Sequence, residues 1–283
     1  MKLYDYNLHE IHPNLPQTVN PAHVQVLLRE NSARIGTGID MRRPVVINFP
    51  GGGYAHLSER ESDPVSLQFS AAGFQALTVY YSCTPDRYPV QLLQAAAVVA
   101  WVRQHADELL ADPENIYVCG FSAGGHLAAS TGILWKEPVI SETLGVDAKM
   151  CRPDGMILGY PVITFGTFAN PGSFHNLLGK NQPPQVYEKL SLQTRVDDTT
   201  PPAFLWHTFS DDAVPLENTL MLASALRAHM IPFELHIFPD GPHGLSVANT
   251  QSSLVGSETL INPHVSEWMK LAVEWVRLQS HFE

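Results

Sequence analysis

The sequence predicts an α/β fold, a mostly parallel central sheet flanked by helices, and three observations carry the prediction. Short β-branched or aromatic runs alternate with longer stretches of helical period along most of the 283 residues. Ile116 to Phe121 is almost wholly apolar without alternation, as expected of a central strand covered on both faces. Directly after it, Gly120-Phe121-Ser122-Ala123-Gly124 leads from the strand into a helical pattern.

Taken in order, Val24 to Leu28 reads as an early strand. Val45 to Phe49 is a compact apolar run ended by Pro50-Gly51-Gly52-Gly53, and Gln75 to Tyr81 is a third strand. After Pro89 the period changes: Leu92, Ala96, Val99 and Ala100 recur at three and four residues, which predicts an amphipathic helix to about His105. Asp112-Pro113 reads as a turn before the strand Ile116 to Phe121, and Ala123 to Leu134 is rich in helix formers. Met156 to Tyr160, Phe204 to Thr208 and Phe233 to Phe238 are further strands, with a helix from Leu216 to His229 between the last two. In the final helix Trp268, Leu271, Ala272, Trp275 and Val276 form a stripe of the kind that packs a core.

Residues 162–202 break the alternation. Pro171, Pro183, Pro184, Pro201 and Pro202, with Gly166, Gly172 and Gly179, interrupt any strand or long helix there. So long a stretch without strand character is unusual unless it has a function. It reads as an insertion over the sheet's edge, a small cap that shapes a substrate pocket; a surface excursion without a role is the plainer alternative. The length allows one large α/β domain or two small ones. With no internal repeat, residues 1–283 are taken as one domain carrying the 162–202 insertion.

Composition narrows the function. The chain is 45% hydrophobic and 16% charged, without a run apolar enough to span a bilayer. Its 17 basic against 28 acidic residues leave a net charge of −11, which repels nucleic acid and anionic membranes. The opening MKLYDYNLHE lacks the apolar core of a secretory signal. Cys83, Cys119 and Cys151 are an odd number without metal-ligand spacing, so a reducing cytoplasm is expected, with neither metal nor organic cofactor. Oligomeric state stays open.

The segment Gly120 to Gly124 matches G-x-S-x-G in the strand–turn–helix context that such a nucleophile requires. A serine on so sharp a turn sits in a strained backbone, and glycines two residues to either side remove collisions with the neighbouring elements. The following helix directs its N-terminal amides toward the serine, where negative charge would develop. A serine nucleophile needs a base, and the base an orienting carboxylate; with this kind of elbow the order along the chain is serine, acid, histidine. After the strand Phe204 to Thr208, Asp211 and Asp212 offer two adjacent carboxylates before Val214-Pro215. After the strand Phe233 to Phe238, His243 stands alone among turn residues.

Other histidines compete with it. His207 and His236 lie within strands and read as structural, His126 on the nucleophile helix points along the axis, and His56 is a candidate substrate contact together with Tyr54. The amide after the nucleophile, on Ala123, and those of Gly52 and Gly53 are the expected oxyanion donors.

These residues resemble the α/β-hydrolase superfamily, in its esterase/lipase branch with an HGGG-type loop. Here proline replaces the histidine of that loop, giving Pro50-Gly51-Gly52-Gly53-Tyr54. That form, with Leu57-Ser58-Glu59-Arg60-Glu61, the elbow extended to Gly125-His126, and Trp206-His207-Thr208 leading into Asp211, is similar to bacterial carboxylesterases related to acetylxylan esterases. The similarity runs from about Val45 to Gly244. It implies an α/β-hydrolase fold and a serine carboxylesterase acting on small-molecule acyl esters, often acetyl groups on sugars, through an acyl-enzyme intermediate. It also implies Ser122, Asp211 and His243 as the catalytic triad, with Asp212 as the rival acid. A prolyl-oligopeptidase-type peptidase shares the triad order but normally carries a further large domain, and a non-catalytic ligand-binding protein on the same fold would usually have lost a triad member.

Overall fold

The computed structural model describes residues 1–32 and 40–282. Among them, eight strands form one sheet: β1 (Lys2–Asn7), β2 (His23–Leu28), β3 (Arg43–Phe49), β4 (Gln75–Tyr80), β5 (Ala111–Phe121), β6 (Gly155–Gly159), β7 (Ala203–Thr208) and β8 (Phe233–Phe238). The order across the sheet is β1-β2-β4-β3-β5-β6-β7-β8. Strand β2 runs antiparallel to β1 and β4, and the pairings from β4 to β8 are all parallel. The helices are α1 (Leu8–Ile11), α2 (Asp63–Ala71), α3 (Val90–Gln104), α4 (Ser122–Ile133), α5 (Pro138–Leu144), α6 (Pro171–Leu178), α7 (Pro184–Glu188), α8 (Glu217–Ala228) and α9 (Pro263–Ser280). This is the predicted fold class.

Successive side chains of a strand point to opposite faces, and the core divides accordingly. Val45, Ile47 and Phe49 of β3 and Val118 of β5 face a layer containing α3, α4 and α8. Val46, Tyr117, Cys119 and Phe121 face the opposite layer, with Val65 and Phe69 of α2 and Val265, Trp268, Ala272, Trp275 and Val276 of α9. Helices on both faces explain why β3 is buried at every position and shows no alternation, whereas β2, near the edge, alternates between half-buried and buried. The aromatic stripe of the last helix packs into the second layer.

The structure adds elements and shifts others. Strand β1 was not expected: Lys2, Asp5 and Asn7 make it too polar to read as a strand, and it is an edge strand with most of its side chains exposed. Helix α2, between the glycine loop and β4, was also missed. Asp112-Pro113 is not a turn ahead of β5 but lies within it. Arg43 pairs with Ala111 and Val45 with Ile116, so the intervening residues form an irregularity that absorbs the proline. Residues 162–202 do not lie over an edge. They leave β6 and return to β7, both interior strands, and contribute α6 and α7 at the end of the sheet where Ser122 sits. Among the described residues no helix is long and apolar enough to cross a membrane.

Candidate active site

The turn from β5 to α4 brings Ser122 to the first position of the helix with φ 53°. A non-glycine residue in that region carries strain of about 1–3 kcal/mol, held in place by its surroundings. The neighbouring glycines leave no alternative. A Cβ on Gly120 would sit 2.2 Å from the Gly124 carbonyl oxygen, and one on Gly124 would sit 2.1 Å from that of Phe49. The amide of Val162 donates to the Ser122 carbonyl at 3.0 Å, tying the elbow to the chain leaving β6.

Three side chains from separate loops meet at this point. Ser122 Oγ lies 2.9 Å from His243 Nε2, and His243 Nδ1 lies 2.7 Å from Asp211 Oδ2. The carboxylate can only accept, so Nδ1 carries the ring proton there and Nε2 is left to accept from the serine hydroxyl. Asp211 is 1% exposed in its side chain and His243 20%. The loop after β7 wraps around the acid: Oδ1 of Asp211 accepts the amides of Ala213 at 2.9 Å and Val214 at 2.8 Å. Burial opposes its charge, but the hydrogen bonds from His207, His243 and Val214 outweigh burial and hold the carboxyl well below the usual carboxylate range. Asp212 is exposed, and its Oδ1 accepts the backbone amide of His243 at 3.5 Å.

The glycine loop after β3 faces the same point. Gly52 and Gly53 line a cleft of about 310 Å³ with Ser122 and His243, within the size range of small-ligand sites. Gly52 adopts φ +125°, and a Cβ there would meet the His56 carbonyl oxygen at 2.2 Å. The Gly51 amide is already taken, donating to Glu61 Oε2 at 2.8 Å. Among the described residues the amides of Gly52 and Gly53 donate to no protein acceptor. The Ala123 amide sits at the N-terminus of α4, the positive end of the helix.

Of the two expected substrate contacts, His56 lines the cleft and Tyr54 does not. Tyr54, at φ 58°, is 1% exposed, and its hydroxyl donates to His126 Nδ1 at 2.9 Å. His126 Nε2 in turn donates to the Leu190 carbonyl at 3.0 Å, so that ring joins Tyr54 to the 162–202 segment. The phenol packs under the glycine loop because the reversed backbone at residue 54 turns it inward.

Several residues of the site were not anticipated. Asn170 and Ser173, at the start of α6, form one wall of the cleft, and Arg60 and Glu61 form another. His207 is buried against Asp211, and Tyr160, at φ 36° after β6, stacks its ring edge-on to His243 at 4.9 Å. The adjacency of Trp206-His207-Thr208 to the acid loop was a signal for the first of these. Nothing in the sequence marks Tyr160 apart from the strand end it occupies. Among the described residues no three His, Cys, Asp or Glu side chains cluster as a metal ion would need.

Comparison with known proteins agrees with this architecture. A family model described as BD-FAE matches residues 37–226. Endo-1,4-beta-xylanase B of Butyrivibrio fibrisolvens is 34% identical over 218 residues, covering 75% of this chain and 34% of that protein. An acetylxylan esterase of Xylanibacter ruminicola is 30% identical over 205 residues, covering 70% of this chain and 40% of that one. The chain therefore spans well under half the length of these two curated relatives. The crystal structure of an acetyl ester-xyloside bifunctional hydrolase from Caldicellulosiruptor lactoaceticus superposes with a TM-score of 0.84 at 36% identity, covering 99% of this chain and 97% of that one.

Proposed function

The chain belongs to the BD-FAE family of α/β-hydrolases, and from that membership we propose that it is a serine carboxylesterase acting on small acyl esters, with acetyl esters of sugar hydroxyls as its substrates. The observation that carries the proposal is the run of contacts from Ser122 Oγ to His243 Nε2 at 2.9 Å and from His243 Nδ1 to Asp211 Oδ2 at 2.7 Å.

In this reading Ser122 Oγ attacks the ester carbonyl carbon while its proton passes to His243 Nε2. Asp211 holds the ring and stabilises the imidazolium. The amides of Gly52, Gly53 and Ala123 bind the oxyanion of the tetrahedral intermediate. The imidazolium returns its proton to the departing alkoxide, which leaves as the alcohol. Water, deprotonated by His243, then attacks the acyl-serine and releases the acid.

Polar side chains on the wall of the cleft support a hydroxyl-rich alcohol: His56, Ser58, Arg60, Asn170 and Ser173 all line it. The similarity to an acetylxylan esterase and an acetyl ester-xyloside hydrolase points the same way. Residues 162–202 act as a cap on a single catalytic domain, its helix α6 supplying the Asn170–Ser173 wall. The three cysteines are free and buried, which supports a reducing compartment, the cytoplasm.

A fluorophosphonate probe combined with a panel of esters tests the proposal. We expect labelling at Ser122, and turnover that is highest for acetyl esters, persists on acetylated xylo-oligosaccharides and is absent on aminoacyl amides. An unlabelled protein, or one that cleaves amides in preference to esters, would refute it.

A further inference from the structure

A buried acid outside the reacting atoms joins the two loops on which they depend. Glu61 is 2% exposed and ends the 3₁₀ turn Glu59–Glu61, between the glycine loop and α2. Its Oε2 accepts the Gly51 amide at 2.8 Å, and its Oε1 accepts the Tyr160 hydroxyl at 2.7 Å. The Tyr160 oxygen accepts the amide of Ser246, on the loop that carries His243, at 2.8 Å. The turn is itself pinned. Asn48 of β3 donates to the Glu61 carbonyl at 2.7 Å, and Arg60 donates through Nη1 to the Gly244 carbonyl at 2.7 Å.

We propose that Glu61 is a positioning residue that sets the glycine loop and the histidine loop in one frame, through Gly51 on one side and Tyr160 with Ser246 on the other. The inference rests on the serine-esterase reading for its effect on turnover; the linkage itself is geometric. A carboxylate buried next to a site where negative charge develops is an expensive way to fill space. What it supplies is two strong acceptors in one rigid planar group, and both are used. Because the Gly51 amide is held by Glu61, the peptide that follows is oriented, and the amides of Gly52 and Gly53 stay free to face the cleft. On the other side, Tyr160 holds the Ser246 amide and lays its ring against His243. Glutamine at this position could accept only one of the two donors, and its own NH₂ would oppose the other.

The test compares the wild type with Glu61→Gln and Tyr160→Phe in two measurements: kinetics on p-nitrophenyl acetate, and amide hydrogen exchange of peptides spanning residues 50–56 and 242–248. For Glu61→Gln we expect kcat to fall about 10- to 100-fold with KM changed less than about threefold, and at least one of the two peptides to exchange faster, since glutamine keeps one acceptor. For Tyr160→Phe, which keeps the Gly51 bond, only residues 242–248 are expected to loosen. A Glu61→Gln variant in which neither loop loosens, or in which kcat is unchanged, overturns the proposal. If that variant does not fold, Tyr160→Phe still decides: no selective loosening of residues 242–248 refutes the linkage. A wild type that neither turns over ester nor labels with fluorophosphonate would sink the esterase reading alone, because the exchange measurements judge the linkage without it.

Discussion

The Nε2 of His207 stands 3.3 Å from Oδ2 of Asp211, the same oxygen that His243 Nδ1 reaches at 2.7 Å. Nε2 of His207 is also 3.0 Å from the Val214 carbonyl, which can only accept, so this nitrogen carries a proton and shares it with the acid. Asp211 thus receives two backbone amides on one oxygen and two imidazole nitrogens on the other. Contacts on both oxygens restrain the carboxylate, and through Oδ2 it orients the His243 ring.

The two adjacent acids are therefore expected to differ sharply. Asp211→Asn is expected to lower kcat by about 10³- to 10⁴-fold, because an amide can present the wrong hydrogen-bond partner to Nδ1. Asp212→Asn, at an exposed residue whose Oδ1 accepts the His243 backbone amide at 3.5 Å, is expected to stay within about threefold of the wild type. Steady-state kinetics of both variants on p-nitrophenyl acetate checks the assignment, and the opposite ranking would transfer the role to Asp212.

Ser122→Ala is expected to cost about 10⁴- to 10⁶-fold in kcat and to abolish fluorophosphonate labelling. The melting temperature is expected to hold or rise, since the group that loses the hydroxyl, His243 Nε2, lies on a residue lining the cleft, where water can replace it. Hydrolysis surviving at near wild-type rate would place the nucleophile elsewhere.

At the elbow, Gly124→Ala forces a Cβ against backbone, 2.1 Å from the Phe49 carbonyl oxygen, where no side chain can swing aside. Overpacking of this kind costs about 1–3 kcal/mol or more, read as a melting temperature lowered by several degrees. Gly172→Ala is the control: the added carbon meets only Asn170 Oδ1, at an ordinary 3.7 Å, in the first turn of α6. Equal melting temperatures for the two variants would contradict the packing argument.

Stability is expected to depend on pH through His126. Burial pushes this imidazole down from 6.5 to about 4, with the Leu190 carbonyl opposing only in part. Between those values the unfolded chain binds a proton that the folded one refuses. The contribution is fully present above about pH 6.5, declines as pH falls, and is gone below about 4; it amounts to about 3 kcal/mol in all. Urea unfolding at pH 7.5 and 4.5 checks this, with His126→Gln expected to show a smaller difference between the two pH values. An identical difference in wild type and variant would mean that the ring is not held neutral by burial.

The sheet and the elbow were legible in sequence because both rest on local rules. A strand buried on both faces must be apolar throughout, and a serine on a sharp turn must have glycines beside it, whatever the rest of the chain does. The loops after β7 and β8 were legible for the same reason, as short polar segments at predictable strand ends. Local pattern also had limits. The polar edge strand β1 lacked the apolar signal, and the Asp112-Pro113 pair looked like a turn because nothing nearby shows that a partner strand can absorb an irregularity.

By itself, then, the order of residues determined the α/β class, the place of Ser122 on its sharp turn and the two loops that meet it, since each depends on neighbours a few residues away. Only the tertiary structure decided which of two adjacent aspartates points inward, that Tyr54 turns beneath the glycine loop, that the 162–202 segment covers the end of interior strands, and that Glu61 and Tyr160 join the glycine and histidine loops. Those outcomes depend on hydrogen bonds between groups remote along the chain, whose partners are set only once the strands have taken their order in the sheet.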